Sequence, residues 1–225
     1  MKKAIFHLHT HYSFDCMTSP KKIVDLAVKN KIDYLVISDH DSVAGSVEAR
    51  AYAEKYQLPI QVPISAEFYT DIGDIVAVGI PADFQMVKDH RELCRAVKAS
   101  GGHTILPHPY DHHRLDEIEW SLIDCIEVFN SRSSAENNKQ SYALAATMLK
   151  PMVYGSDAHF LGDVCNCIFD FDGVTPFEGK TAAVNLLYTS PYRKDFSQLV
   201  RAWKIRSPRV MYRVLKRIAK RPFSS

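Results

Sequence analysis

Short uninterrupted apolar runs alternate along this chain with longer stretches in which apolar residues recur at helical spacing. The first run (Ala4, Ile5, Phe6, Leu8) reads as a buried strand. Residues 20–30 follow with a first-turn proline and with Ile23, Leu26 and Ala27 on one face, which predicts a helix. Further strands are predicted over 33–38, 59–66 and 74–80, with a helix over 46–56 between the first two. A long helix is predicted over 84–100, stopped by Gly101-Gly102. Strands over 103–106, 124–129 and 152–154, a helix over 134–149 and a last strand over 165–170 complete the pattern. Strands alternating with helices predict an α/β architecture with a parallel sheet.

Composition adds limits. At 225 residues, 46% hydrophobic and 24% charged, the chain suits one ordinary globular core. No apolar run approaches the roughly 18 residues of a membrane span. The run behind Lys2 and Lys3 is too short for a signal peptide, so a cytoplasmic protein is expected. Five cysteines form no framework spacing, and Cys165-x-Cys167 lacks a second pair; buried thiols in a reducing compartment are expected.

The net charge of +2 conceals an asymmetry. Residues 191–225 hold eleven Lys/Arg and one acid, Asp195, so this stretch carries +10 and the rest −8. The chain is therefore divided into a body, 1–190, and a basic, partly helical extension, 191–225. A helix is expected from Ser207-Pro208, with Val210, Val214, Leu215 and Ile218 broadly on one face. Such a helix can dock on the acidic body, lie on an anionic membrane surface or attract a polyanion.

Candidate chemistry lies at the strand ends. His7 and His9 stand at i and i+2, which on an extended chain puts both imidazoles on one face. His40, Glu67, His108 and Asn130 each fall at or just after the end of a predicted strand, as does Asp157-x-His159, which repeats the i, i+2 spacing. In parallel α/β proteins chemistry gathers where strand ends converge. The candidate ligands are imidazole and carboxylate without thiolate, a set suited to Zn²⁺, Mn²⁺ or Fe²⁺. They are too many for one tetrahedral ion, so two or three are expected, with Glu67 as the shared carboxylate. Closely spaced divalent ions lower the pKa of a shared water and neutralise phosphoryl oxygens, which fits hydrolysis of a phosphate ester by a metal-activated hydroxide. Amide hydrolysis or deamination on the same centre is the rival.

The segments HLHTHYSFD, ISDHD, ISAEF, LPHPYDHH, IEVFNSR and GSDAH, in this order across residues 5–159, resemble the PHP (polymerase and histidinol phosphatase) superfamily of metal-dependent phosphoesterases. The resemblance implies a distorted seven-stranded (β/α) barrel with a two- or three-metal centre at the C-terminal mouth of its strands. It also implies a ligand set. One ion would take His7, His9, Glu67 and Asp157; a second would share Glu67 and take His108; a third would use Asp15, His40 and His159. Two departures stand out. Asp15 occupies a position where some members have His, and Asn130 a position where trinuclear members supply one.

Beyond the ligands, Arg132 and the His112-His113-Arg114 run can meet a substrate phosphate, Arg through its bidentate fork. His112 or His113 could protonate the leaving oxygen. Asp39 and Asp41 read as supporting or capping groups. The expected substrate is a small phosphorylated metabolite or nucleotide. The alternatives are exonuclease or phosphodiesterase action on short oligonucleotides, helped by the basic extension, and a non-catalytic metal-binding scaffold.

Overall fold

Nine strands share one mixed sheet in the computed structural model, which describes residues 1–220. In chain order the elements are β1 (Lys2–Leu8), α1 (Pro20–Lys29), β2 (Tyr34–Ile37), α2 (Ala44–Lys55), β3 (Ser65–Thr70), β4 (Gly73–Val78), α3 (His90–Ala99) and β5 (His103–Leu106). They continue with β6 (Cys125–Asn130), α4 (Ala135–Thr147), β7 (Met152–Ala158), β8 (Cys167–Phe171), β9 (Thr181–Leu186), α5 (Pro191–Lys204) and α6 (Pro208–Ala219). The sheet order is β3-β4-β5-β6-β7-β1-β8-β9, with β2 paired to β1. β1/β2, β1/β7, β5/β6 and β6/β7 are parallel; β3/β4, β4/β5, β1/β8 and β8/β9 are antiparallel.

The α/β class stands, but the seven-stranded barrel and the all-parallel sheet are corrected. The sheet has nine strands and is open between β2 and β3, where two single bridges, Tyr34 to Gln61 and His40 to Glu67, face each other instead of a ladder. Two local causes are visible. The strand expected over 59–66 contains Pro59 and Pro63, which have no N–H to donate, so regular pairing begins only at Ser65. Two residues, Asp71 and Ile72, then join β3 to β4, far too few for the crossover that parallel strands need, and the pair closes as a hairpin. The helix expected from residue 84 starts at His90, where the Asp89 side chain accepts from the backbone N–H groups of Arg91 and Glu92.

The buried residues fall into three clusters. One packs β3–β7 against α3 and α4 around Phe68, Ile75, Leu93 and Leu106. A second packs β1 and β2 under α1 and α2 around Ile5, Ile23, Leu35 and Ala49. The third joins Ala4, Phe6, Val36, Val76, Ile105, Val153 and Phe169, side chains from six strands of the curled sheet. All five cysteines are free, and four are buried.

The basic extension docks on the body through α5, whose Arg193 pairs with the buried Asp163, and α6 is tied to α5 by the ion pair of Arg217 with Asp195. Ser197 and Lys194 of α5 also bond to Arg132. In α6 Val214 is buried and Val210 and Ile218 are half-buried, while Leu215 faces solvent. Residues 221–225, the end of the expected extension and including Arg221, lie outside the described residues. Among the described residues no helix is long and apolar enough to cross a membrane.

Candidate metal centre

The chain turns sharply where its ligands sit. His7, His108 and Asp157 all adopt left-handed backbone angles (φ 61°, 30° and 43°), a conformation that costs a non-glycine residue about 1–3 kcal/mol. The surrounding structure holds them there. After β1 the buried Asp39 accepts from the Thr10 N–H and hydroxyl, each at 2.6 Å, and from the Ser13 hydroxyl at 2.7 Å. Helix α2 passes so close that a Cβ on Gly45 would lie 1.8 Å from Asp39 Oδ2. Asp39 therefore pins the turn carrying His9 to Asp15. Asp41, by contrast, caps the Tyr69 N–H at 3.0 Å.

Glu67 lies at the centre, 1% exposed. Its Oε1 is 3.3 Å from His7 Nε2 and 3.2 Å from His108 Nε2; its Oε2 is 3.0 Å from His40 Nδ1 and 3.7 Å from His9 Nε2. Asp157 Oδ1 is 3.4 Å from His9 Nε2 and 4.0 Å from His7 Nε2. Asp15 Oδ2 reaches His159 Nε2 at 3.0 Å and His40 Nε2 at 3.5 Å. All eight ligands expected from the sequence thus converge. Ligand atoms of His9, Asp15, His40 and His159 lie within 4.8 Å of one another, as do those of His7, His9 and Glu67 and those of His7, His108 and Asp157. His9 thus borders two of these groups, whereas the resemblance gave it only one ion.

The centre fits a cation on its own chemistry. His7 Nε2, His9 Nε2, Asp15 Oδ1 and Glu67 Oε2 are buried without a hydrogen-bond partner. Stranding such groups is expensive unless something else occupies the space they face. Separations of 3.0–3.7 Å between neighbouring ligand atoms match atoms sharing an ion at bond lengths of about 2.1 Å. On three of the imidazoles the outward ring nitrogen is already engaged. His7 Nδ1 donates to Glu127 at 2.8 Å, His9 Nδ1 to Ser13 Oγ at 3.2 Å, and His159 Nδ1 to the Asp157 carbonyl at 3.0 Å. Each bond fixes the tautomer that turns Nε2 inward.

Charge divides the imidazoles. Burial lowers the pKa of His7, but the carboxylates of Glu127, Glu67 and Asp157 outweigh it and hold it well above 6.5. His40 is raised in the same way by Glu67 and Asp15, and His108, through Glu67, to about 9. His9 packs its ring 4.4 Å from that of His40 and 4.3 Å from that of His159. Burial together with these neighbours pushes His9 down to about 3, leaving it a free base. Burial raises Asp15, Glu67 and Asp157, yet the adjacent imidazoles hold all three well below the usual carboxylate range. Without a cation, protons supply the positive charge that the carboxylates require.

Two residues of the site were missed in the sequence. Glu127 sits mid-strand in β6 and also accepts from the His108 N–H at 2.8 Å and the Asn130 amide at 2.9 Å. Gly155 makes room for it: a Cβ there would lie 1.7 Å from Glu127 Oε1. A carboxylate inside the apolar run DCIEVF was the available signal. Asp74, at the start of β4, places an oxygen within 4.8 Å of ligand atoms of Glu67 and His108. Burial and Glu67 raise its pKa to about 6.

Above the ligands opens a pocket of about 690 Å³, walled by Phe14, Tyr69, His112, Arg132 and Arg201 among others. Arg132 Nε is 3.7 Å from Asp157 Oδ2, its Nη2 donates to Ser197 at 2.9 Å, and its Nη1 is buried without a partner. His112 is exposed at the rim, whereas His113 turns inward and donates to the Asp74 carbonyl at 2.9 Å. Arg114 is exposed and pairs with Glu117, away from this wall. Arg201 comes from the extension and rests 5.0 Å from the Phe14 ring, whose plane is stacked on His40.

Lys204, also in α5, donates to the carbonyls of His11, Ser13 and Cys16 at 2.8, 2.7 and 2.6 Å. The extension thereby clamps the loop that carries Asp15. Lys204→Met is expected to weaken divalent-ion binding about 10- to 100-fold, the range typical of lost supporting bonds, while Lys204→Arg recovers part of it; Mn²⁺ titration calorimetry reads both.

An open α/β sheet with a multi-histidine, multi-carboxylate centre under an arginine-walled pocket defines a class of metal-binding protein. Sequence comparison makes this specific. The PHP domain matches residues 6–149 and a PHP-associated region matches 135–180, so the chain belongs to the PHP domain family. It is 29% identical over 154 residues to the uncharacterized protein MJ1587 of Methanocaldococcus jannaschii, covering 60% of this chain and 87% of that one. Among solved structures it is similar to a two-domain Bacteroides vulgatus protein containing a predicted PHP-like metal-dependent phosphoesterase (TM-score 0.57, 22% identity), over 70% of this chain and 52%, about half, of that one. It is also similar to an amidohydrolase from Chromobacterium violaceum with bound sulfate and no metal (TM-score 0.58, 17% identity), over 79% of this chain and 93% of the other.

Proposed function

We propose that this protein is a metal-dependent hydrolase of phosphate esters, acting on a small phosphorylated metabolite or nucleotide. The observation that carries this reading is a ring of buried, unpartnered ligand atoms around Glu67 lying directly beneath a pocket walled by arginine. Two or three divalent ions, Mn²⁺, Zn²⁺ or Fe²⁺, would be held by His7, His9, Asp15, His40, Glu67, His108, Asp157 and His159. When bound, such ions supply Lewis acidity and a water of lowered pKa.

The remaining work falls to the chain's own groups. Arg132 lines the pocket, is fixed by Ser197 and Asp157 and keeps a buried Nη1 without a partner, which suits it to orient a phosphoryl group. Arg201 adds positive charge at the rim. His112, exposed on the same wall, is placed to give a proton to the departing oxygen. A doubly cationic wall is better matched to a phosphate dianion than to a neutral amide, which favours ester hydrolysis over the chemistry of the amidohydrolase neighbour.

The test is release of p-nitrophenol from p-nitrophenyl phosphate and its bis-ester, with Mn²⁺ and after EDTA treatment. Turnover of the monoester with Mn²⁺, abolished by EDTA, is expected. Preference for the bis-ester would move the reading to oligonucleotide ends. Absence of turnover on both, or turnover indifferent to chelation, would overturn it.

A further inference from the structure

We infer that Asp74 is itself a metal ligand, completing with Glu67 and His108 a cation position that residue 130 does not serve. The inference rests on the reading of this centre as a divalent-ion site and adds a ligand to it. Glu67 Oε1 and His108 Nε2 lie 3.2 Å apart, a separation that suits two ligands on one ion. Two protein atoms are a thin shell, and the obvious third donor is committed elsewhere. Asn130 gives its amide N–H to Glu127 at 2.9 Å and its Oδ1 accepts from the Arg132 N–H at 2.8 Å. Both ends of that side chain serve the supporting structure.

Asp74 comes from the opposite side. It pairs with Tyr69 across the β3/β4 ladder, and Tyr69 is two residues from Glu67. Period-two alternation puts Glu67, Tyr69 and Asp74 on one face of the sheet. There Asp74 places an oxygen within 4.8 Å of the Glu67 and His108 ligand atoms, which also lie within 4.8 Å of each other. Its neighbour Glu67 is fully buried and turns Oε1 toward His108, whose own Nδ1 is buried without a hydrogen-bond partner. Two carboxylates this close repel unless a cation separates them. Asp74 itself lines the pocket, so an ion held there would stand at the substrate edge of the centre.

The donor set also has a chemical consequence. Two carboxylates and one imidazole form an oxygen-rich shell, which suits Mn²⁺ better than an imidazole-rich shell does.

The test counts metal. Wild-type protein and Asp74→Asn are dialysed to equilibrium against Mn²⁺, bound manganese per chain is measured by atomic emission, and affinities by calorimetry. Asp74→Asn is expected to lose one Mn²⁺ equivalent, or to bind it at least about tenfold more weakly, with the other equivalents unchanged. Asp74→His, which keeps a donor at the position, is expected to restore the count. If Asp74→Asn matches wild type in both count and affinity, the assignment of Asp74 falls while the proposed function stands. If wild-type protein binds no Mn²⁺, Zn²⁺ or Fe²⁺, the proposed function falls and this inference with it.

Discussion

Glu67→Gln is expected to abolish hydrolysis, with a loss of at least about 10³-fold in kcat/KM. That corresponds to ~4 kcal/mol at about 1.4 kcal/mol per decade, within the several kcal/mol that metal-ion catalysis supplies. Among the described residues Glu67 is the one carboxylate within 3.7 Å of His7, His9, His40 and His108. Its two oxygens face different imidazoles, so it joins what would otherwise be separate ligand groups. An amide keeps the shape, removes the negative charge and turns an N–H₂ donor toward positions that need an acceptor. Bound metal should fall together with activity. Activity lost with the metal complement intact would show that Glu67 does not act through the ions.

Arg132→Ala is the second large effect, and its signature differs. The guanidinium is held by Ser197 and Asp157 with Nη1 buried and unpartnered. Removing a fixed donor aimed at developing charge typically costs about 10²–10³ in kcat. Bound metal should remain at the wild-type level, because Arg132 is not a ligand. Arg132→Lys should recover little, since an ammonium cannot reproduce the planar fork. Steady-state kinetics with p-nitrophenyl phosphate, beside metal analysis of the same samples, separates this outcome from loss of the centre. Unchanged kinetics would move the phosphoryl group away from this wall.

Much of the site could be read from the residues because its candidate ligands stand where apolar runs break. His7-x-His9 and Asp157-x-His159 close β1 and β7 and do converge with Glu67 and His108, but through left-handed turns at His7, His108 and Asp157 rather than through extended-strand alternation. What was not legible depended on partners distant in sequence. Glu127 is a support only because Gly155 leaves space for it and His7 turns its Nδ1 toward it. Asp74 looked like a strand boundary, and only the hairpin register with β3 carries it beside Glu67.

The architecture shows the same division. β1, β2, β4–β6 and β8 coincide closely with apolar runs, β7 continues past its run to Ala158, and the shift of β3 to Ser65 follows from Pro59 and Pro63. β9 escaped notice because its residues are exposed or half-buried and leave no apolar alternation. The basic composition of residues 191–225 gave no hint that α5 would bring Lys204 to three carbonyls of the Asp15 loop and Arg201 to the pocket. Composition reports charge, and the folded chain decides where that charge is placed.

The most direct measurement is anomalous diffraction at the manganese edge from a crystal of the Mn²⁺-loaded protein. Anomalous peaks about 2.0–2.3 Å from Glu67 and from the inward nitrogens of His7, His9 and His108 are the predicted result. A fully loaded crystal with density at surface carboxylates and none between Glu67 and these histidines would contradict the account.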